Sequence, residues 1–184
     1  ALAPLVSAGL VAPSATIIAN SASGVTGAGN SPKRELLFAE VSDDYRAYGV
    51  GNTHRHLREM TATLAALGVD DVDLVFTPHL LPVARGILST ITVPLVEELI
   101  DPLEPFRAAY PNEPFIEVAT QQPALVDVVR RNAVRMTATM IAGTRAPMML
   151  VTSAIDNLVK GAAGQALQNA NLMSGIDECT GLPA

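Results

Sequence analysis

The chain has 184 residues, 49% of them apolar and 16% charged, with a net charge of -6 and a pI near 4.9. That size fits one large domain or one domain with an appendage, and the apolar share supports a substantial core and argues against disorder. The acidic balance is unlike that of a nucleic-acid binder, and no apolar stretch approaches the ~20 residues of a membrane helix.

Leu2, Leu5, Val6 and Leu10 have helical spacing, with Gly9 as a stop. Thr16 to Asn20 is a short β-branched run and predicts a strand, followed by a loop of small residues from Ser21 to Gly29. Asn52 or Thr53 is placed to cap a helix whose apolar face is Met60, Leu64 and Leu67, closed by Gly68. The period then switches to two, with Val72, Leu74 and Phe76 alternating with Asp73, Val75 and Thr77. Ile87 to Val93 predicts a strand, Pro102 to Tyr110 a helix with an early proline, and Phe115 to Val118 another strand. Met136, Ala138 and Met140 alternate with Arg135, Thr137 and Thr139, as in a strand with one wet face. Met148 to Thr152 predicts the last strand and Asp156 to Ser174 the last helix, stopped by Gly175. About six strands and four helices, with strands grouped together, predict an α+β fold. Its sheet is mixed and largely antiparallel with helices on one face, not doubly wound and parallel.

Four patches carry candidate chemistry. Gly24, Gly27 and Gly29 can turn backbone N–H groups toward an anion, and Ser21, Ser23 and Thr26 add hydroxyls; an ordinary flexible turn is the plain alternative. His56 and Glu59, three apart at a helix start beside His54, suit a general acid/base pair, or else a solvated first turn. Arg85, alone in an apolar segment before a strand, can grip a carboxylate or phosphate of a ligand or of the fold itself, while His79 reads as a loop residue. Asn157 can offer its amide to a planar ligand. Gly161, Ala162, Ala163, Gly164 and Ala166 read chiefly as close helix packing. Cys179, the one cysteine, excludes an intrachain disulfide, fits a reducing cytoplasm and lies near the end as a spectator.

Taken together, Ser23-Gly24-Val25-Thr26-Gly27-Ala28-Gly29, His54-Arg55-His56 with Glu59, Thr77-Pro78 through Arg85-Gly86-Ile87, and the run from Asp156 to Ala166 resemble the N-acetyl-gamma-glutamyl-phosphate reductase family of arginine biosynthesis. The resemblance runs across essentially the whole chain. It implies a two-domain enzyme: an N-terminal Rossmann domain for NADP, and a second domain like the C-terminal domain of glyceraldehyde-3-phosphate dehydrogenase, which supplies catalytic residues and the subunit interface of a homo-oligomer. In that family a cysteine attacks the acyl phosphate, phosphate leaves, and NADPH reduces the thioester to an aldehyde. The resemblance gives His56 the acid/base role, with Glu59 orienting it and His54 close by. It places Ser23, Gly24, Thr26 and Arg85 at the substrate, Gly27 and Asn157 at the cofactor, and no metal.

Residues 1–155 then form the catalytic and dimerisation domain, and 156–184 a helix and tail that would pack on the Rossmann domain. The chain departs from the family pattern in lacking the Rossmann glycine motif and the nucleophilic cysteine. It opens at Ala1 within a helical pattern, so it is expected to be one piece of a larger polypeptide, inactive alone, with the cysteine turn just upstream. Asn30 stands where a basic residue is common, and Arg58 where proline is usual. Two other readings remain: an assembly module without activity of its own, and the carrier-linked aminoadipate phosphate reductases of lysine biosynthesis. The second would call for a basic rim that this acidic chain does not advertise.

Overall fold

The computed structural model describes residues 1–29, 31, 33–68 and 73–183. The elements in chain order are α1 (Ala3–Ser7), β1 (Thr16–Gly24), α2 (Phe38–Val41), β2 (Arg46–Ala47), α3 (Leu57–Ala66), β3 (Asp73–Leu81), β4 (Ile87–Pro94), α4 (Glu104–Ala109), β5 (Ile116–Val118), β6 (Val134–Met140), β7 (Met148–Ile155) and α5 (Gly164–Met173). The seven strands form one sheet in the order β2-β3-β1-β4-β7-β6-β5. Pairs β1/β3 and β5/β6 are parallel and the other four are antiparallel, so the sheet is mixed and largely antiparallel, as predicted.

Strand alternation divides the sheet into two unlike faces. One carries Ile17, Ala19, Leu74, Phe76, Ile91, Val93, Met149 and Val151, all buried. Against it pack Leu5 and Val6 of α1, Leu64 of α3, and Leu103 and Phe106 at α4, forming one continuous core. The opposite face carries Ile18 (42% exposed) and Val75 (39% exposed), in register with partly covered Thr92 and Leu150. Helices α1, α3 and α4 are therefore on one face, and an apolar-and-threonine surface is left on the other. Among the described residues no helix is long and apolar enough to cross a membrane.

Several boundaries differ from expectation, each for a local reason. The loop predicted from Ser21 begins only after Gly24, because Ser21 to Gly24 pair with β3 and Ser21 to Ser23 also with β4. His79 lies inside β3, not in a loop: β3 runs through Pro78, whose missing N–H is tolerated next to the short edge strand β2. β2 itself, two residues long, shows no period. Neither Asn52 nor Thr53 caps α3. Asn52 has φ +61, and its side chain donates to Leu74 O and accepts from Phe76 N–H, both at 2.9 Å, along the β3 edge that β2 does not reach. Thr137 is buried despite its alternation with Met136 and Met140; it stands opposite buried Thr152, and the turn Leu125–Asp127 packs on that side, where Asp127 meets Arg135. The last helix is interrupted, with Val159–Ala163 wound as a π turn before α5. Val72, read as the first apolar residue of its strand, and Asn30 lie outside the described residues.

Candidate active site at the ends of β1, β4 and β7

Beyond Gly24 the chain folds into a short 3-10 turn, Val25–Ala28, held against the segment between β3 and β4. Gly24 N–H donates to Gly86 O at 2.9 Å, Val25 N–H to Val83 O at 2.9 Å and Thr26 N–H to Ala84 O at 3.2 Å. The approach demands glycine at 24: a Cβ there would lie 2.9 Å from Ala84 C, Ala84 O and Arg85 N. Gly27 is close-packed differently, since its Cβ would meet the Ser23 hydroxyl at 2.9 Å.

Two residues following β7 lock this turn. Asn157, buried, accepts from Gly86 N–H at 2.7 Å and donates to Thr26 Oγ1 at 2.8 Å. Thr26 Oγ1 in turn donates to Ala84 O at 2.6 Å, so its single hydrogen is already used within the protein. Asp156 is fully buried and accepts from Arg130 N–H at 2.6 Å, Leu158 N–H at 2.7 Å and Val159 N–H at 3.0 Å. The Arg85 guanidinium completes its surroundings, with Nη2 donating at 3.2 Å and Nε 3.0 Å from the second oxygen. Burial alone would raise the Asp156 carboxyl; the N–H groups of Arg130, Leu158 and Val159 and the Arg85 guanidinium outweigh it and hold the group below its ordinary value. Arg85 therefore grips a carboxylate of the fold, while part of its side chain stays open to solvent.

The glycines after Asn157 serve packing within the chain. A Cβ on Gly161 would press on Asp156 O at 3.3 Å, and one on Gly164 would collide with Asn132 Oδ1 and Val159. Buried Gln168 and Asn171 of α5 then tie the helix down. Asn132 Nδ2 donates to Gln168 Oε1 at 3.3 Å, and Asn171 Nδ2 to Thr180 O at 2.9 Å.

The imidazoles form a second group. His54 packs edge-on to Phe76, Tyr48 and His56. Because Phe76 belongs to the core face and pairs with Ala19, His54 stands on the face that carries Ser21 and Ser23, one strand over. Its Nδ1 accepts from His56 N–H at 3.3 Å, so the neutral ring carries its proton on Nε2. Burial, then the charges of His56 and Arg55, depress the His54 pKa. His56 stands at the N-cap of α3 and is exposed, as is Glu59 in the first turn. Among the described residues no ion pair or hydrogen bond joins them.

Ser23, Gly24, Thr26, Gly27, Arg85 and Asn157 thus meet in one cluster, whereas His54 and His56 form a separate group against Phe76 and Tyr48 with no direct contact to it among the described residues, and Glu59 lies in the first turn of α3. Sequence reasoning did not single out Gly86, whose carbonyl and N–H both serve the cluster, nor the role of Asp156 as the anchor of Arg85. The Asp-Asn pair opening a helix was the available signal.

Residues 1–157 match the family model described as "Semialdehyde dehydrogenase, dimerisation domain". The N-acetyl-gamma-glutamyl-phosphate reductase of Geobacter metallireducens is 44% identical over 185 aligned residues, covering 98% of this chain and 53% of that protein. The reductase of Desulfotalea psychrophila is also 44% identical, with 98% and 53% coverage. The chain spans about half the length of the curated relatives it matches. Among solved structures, aspartate semialdehyde dehydrogenase II from Vibrio cholerae superposes with a TM-score of 0.71 at 16% identity, over 95% of this chain and 58% of that one; this likeness concerns the fold.

Proposed function

The chain belongs to the semialdehyde dehydrogenase dimerisation-domain family, and we propose that it is the catalytic and dimerisation part of an NADPH-dependent reductase converting N-acetyl-glutamyl 5-phosphate to N-acetyl-glutamate 5-semialdehyde and phosphate. The observation that supports this reading is the joining of the glycine turn to Asn157 through Thr26 and Gly86, at the end of β1 and after β7, with His54 on the same sheet face through Phe76. In this reading the thiol nucleophile and most of the NADP site come from the part of the relatives' length that the chain does not span.

Each group here has a task in that reaction. A positioned imidazole keeps the attacking thiol ionised and returns a proton to the oxygen that becomes the aldehyde. We assign that task to His56, with His54 fixing the local backbone and Glu59 available to orient the exposed ring. Ser23 Oγ and the Gly24 segment border the substrate, and Arg85 presents the solvent-facing part of its guanidinium. The cofactor, when bound, supplies hydride. Gly27 lacks a side chain and Asn157 retains one amide N–H beyond its bond to Thr26, which fits a flat carboxamide-bearing ring at that point. The open sheet face, with Ile18 and Val75 exposed, is the surface we assign to pairing with a second copy. We place the reaction in the cytoplasm, on the single cysteine.

The test is NADPH oxidation with N-acetylglutamyl phosphate, using the full-length polypeptide and these residues alone. The full-length protein is expected to turn over and the isolated chain is not. His56→Asn in the full-length protein should lower kcat by about 10²–10⁴-fold. Turnover of a carrier-linked aminoadipate phosphate and not of the acetylated substrate would overturn the assignment.

A further inference from the structure

Three serines stand abreast on the helix side of the sheet. Ser21 on β1 is opposite Ser89 on β4, and Ser89 is opposite Ser153 on β7. The next row on this face, Ala19, Ile91 and Val151, belongs to the buried core. On the other side come Ser23, Ile87 and Ile155, at the glycine turn and Asp156. Hydroxyls therefore replace apolar side chains in the middle of this row, which is flanked by buried Pro78 on β3 and buried Met136 on β6, and all three serines are half-buried.

A polar row on a core face calls for partners. Ser21 Oγ and Ser89 Oγ share one hydrogen bond of 2.7 Å. A cross-strand hydroxyl pair can be purely structural, which accounts for those two but not for Ser153, whose hydroxyl has no partner among the described residues. Three hydroxyls with one bond among them leave two O–H donors and several lone pairs without a partner among the described residues. Arg85, the cation of the candidate site, is already paired with Asp156. A phosphate would need a cation of its own, whereas a neutral group offering both an acceptor and a donor matches the row: a secondary amide.

We propose that Ser21, Ser89 and Ser153 form the subsite for the acylamino group of the substrate, donating to its carbonyl oxygen and accepting from its N–H. The inference rests on the reductase reading above and makes this row the feature that distinguishes an acylated substrate from one without the amide.

The experiment uses the full-length reductase in the reverse direction, with NADP and phosphate. It compares N-acetyl-glutamate semialdehyde with the same semialdehyde lacking the acetamido group. Wild type is expected to prefer the acylated aldehyde. Ser153→Ala should lower kcat/KM for that aldehyde about three- to tenfold, the equivalent of one hydrogen bond, and lower it markedly less for the analogue, so that the preference shrinks. Ser89→Ala should act in the same direction. If Ser89→Ala does not fold, Ser153→Ala still decides, because its hydroxyl makes no bond within the described protein. Equal losses on both aldehydes, or an unchanged preference in a variant that melts like wild type, overturn the subsite alone. Absence of turnover of the acylated aldehyde by wild type overturns the reductase reading and the subsite with it.

Discussion

Asn157 and Thr26 stand 131 positions apart in the chain and share a hydrogen bond of 2.8 Å, while the other end of the same carboxamide receives Gly86 N–H at 2.7 Å. One side chain thus fastens three segments of the site. Asn157→Ala removes the acceptor from a buried backbone N–H, which costs about 1–3 kcal/mol. A fall in melting temperature of about 2–4 °C per kcal/mol is expected, together with faster amide exchange at Gly86. An unchanged melt would show that the fastening is dispensable.

Gly24 and Gly27 should respond differently to alanine. The Cβ at 24 meets backbone atoms of Ala84 and Arg85, which move only if the paired segment moves, whereas the Cβ at 27 meets a serine hydroxyl that can rotate. Gly24→Ala is expected to cost about 1–3 kcal/mol and Gly27→Ala distinctly less. Denaturant titrations of the two variants check the order, and equal costs would contradict it.

Asp156→Asn should be among the most damaging single changes. It removes the charge that answers Arg85 and turns an N–H toward either Arg85 or Arg130 N–H. Breaking a buried pair of this kind costs about 3–5 kcal/mol. Because the Asp156 pKa is depressed in the folded state, its contribution is complete above the unfolded carboxylate value and is lost as pH falls through the folded one. Acid unfolding curves of wild type and Asp156→Asn should therefore converge toward low pH.

His54 gives a second, milder pH dependence. Its folded pKa lies below 6.5, so the unfolded chain takes up the proton first. The stability it contributes is full above about 6.5 and declines as pH drops through the folded value. His54→Phe, which keeps a ring beside Phe76 and Tyr48, should flatten that slope. Melting temperatures between pH 7.5 and 5 decide the matter: parallel curves would remove His54 as the cause.

The exposed sheet face makes an assembly prediction. Ile18→Lys places a charge at the centre of the surface assigned to a second copy. Sedimentation of the full-length protein is expected to show a shift toward a smaller species without loss of secondary structure. An unchanged sedimentation coefficient would place the interface elsewhere.

Much of the fold was legible because it rests on period. The alternation of Leu74 and Phe76 with Val75 and Thr77 identified a strand and its buried face, and positive φ at Gly9 and Gly175 matches their reading as helix stops. What escaped was set by distant partners. Ser21 to Gly24 look like a loop until β3 and β4 arrive to pair with them, and Asn52 looks like a helix cap until the open edge of β3 claims its amide. The same holds for the site. The glycine turn and Asn157 could be named from their motifs, but their mutual bonds, the shielding of Asp156 by Arg85, and the alignment of three serines on separate strands depend on strand register, which a single sequence does not display.

The bond between Thr26 and Asn157 also bears on the order in which a ribosome can finish this molecule. At about 5–20 residues per second, the 131 positions between them take about 7–26 s to synthesise. Throughout that interval the nascent glycine turn waits for its clasp, so translation stalled before the Asp-Asn pair would release a sheet whose glycine-turn end is still unfastened.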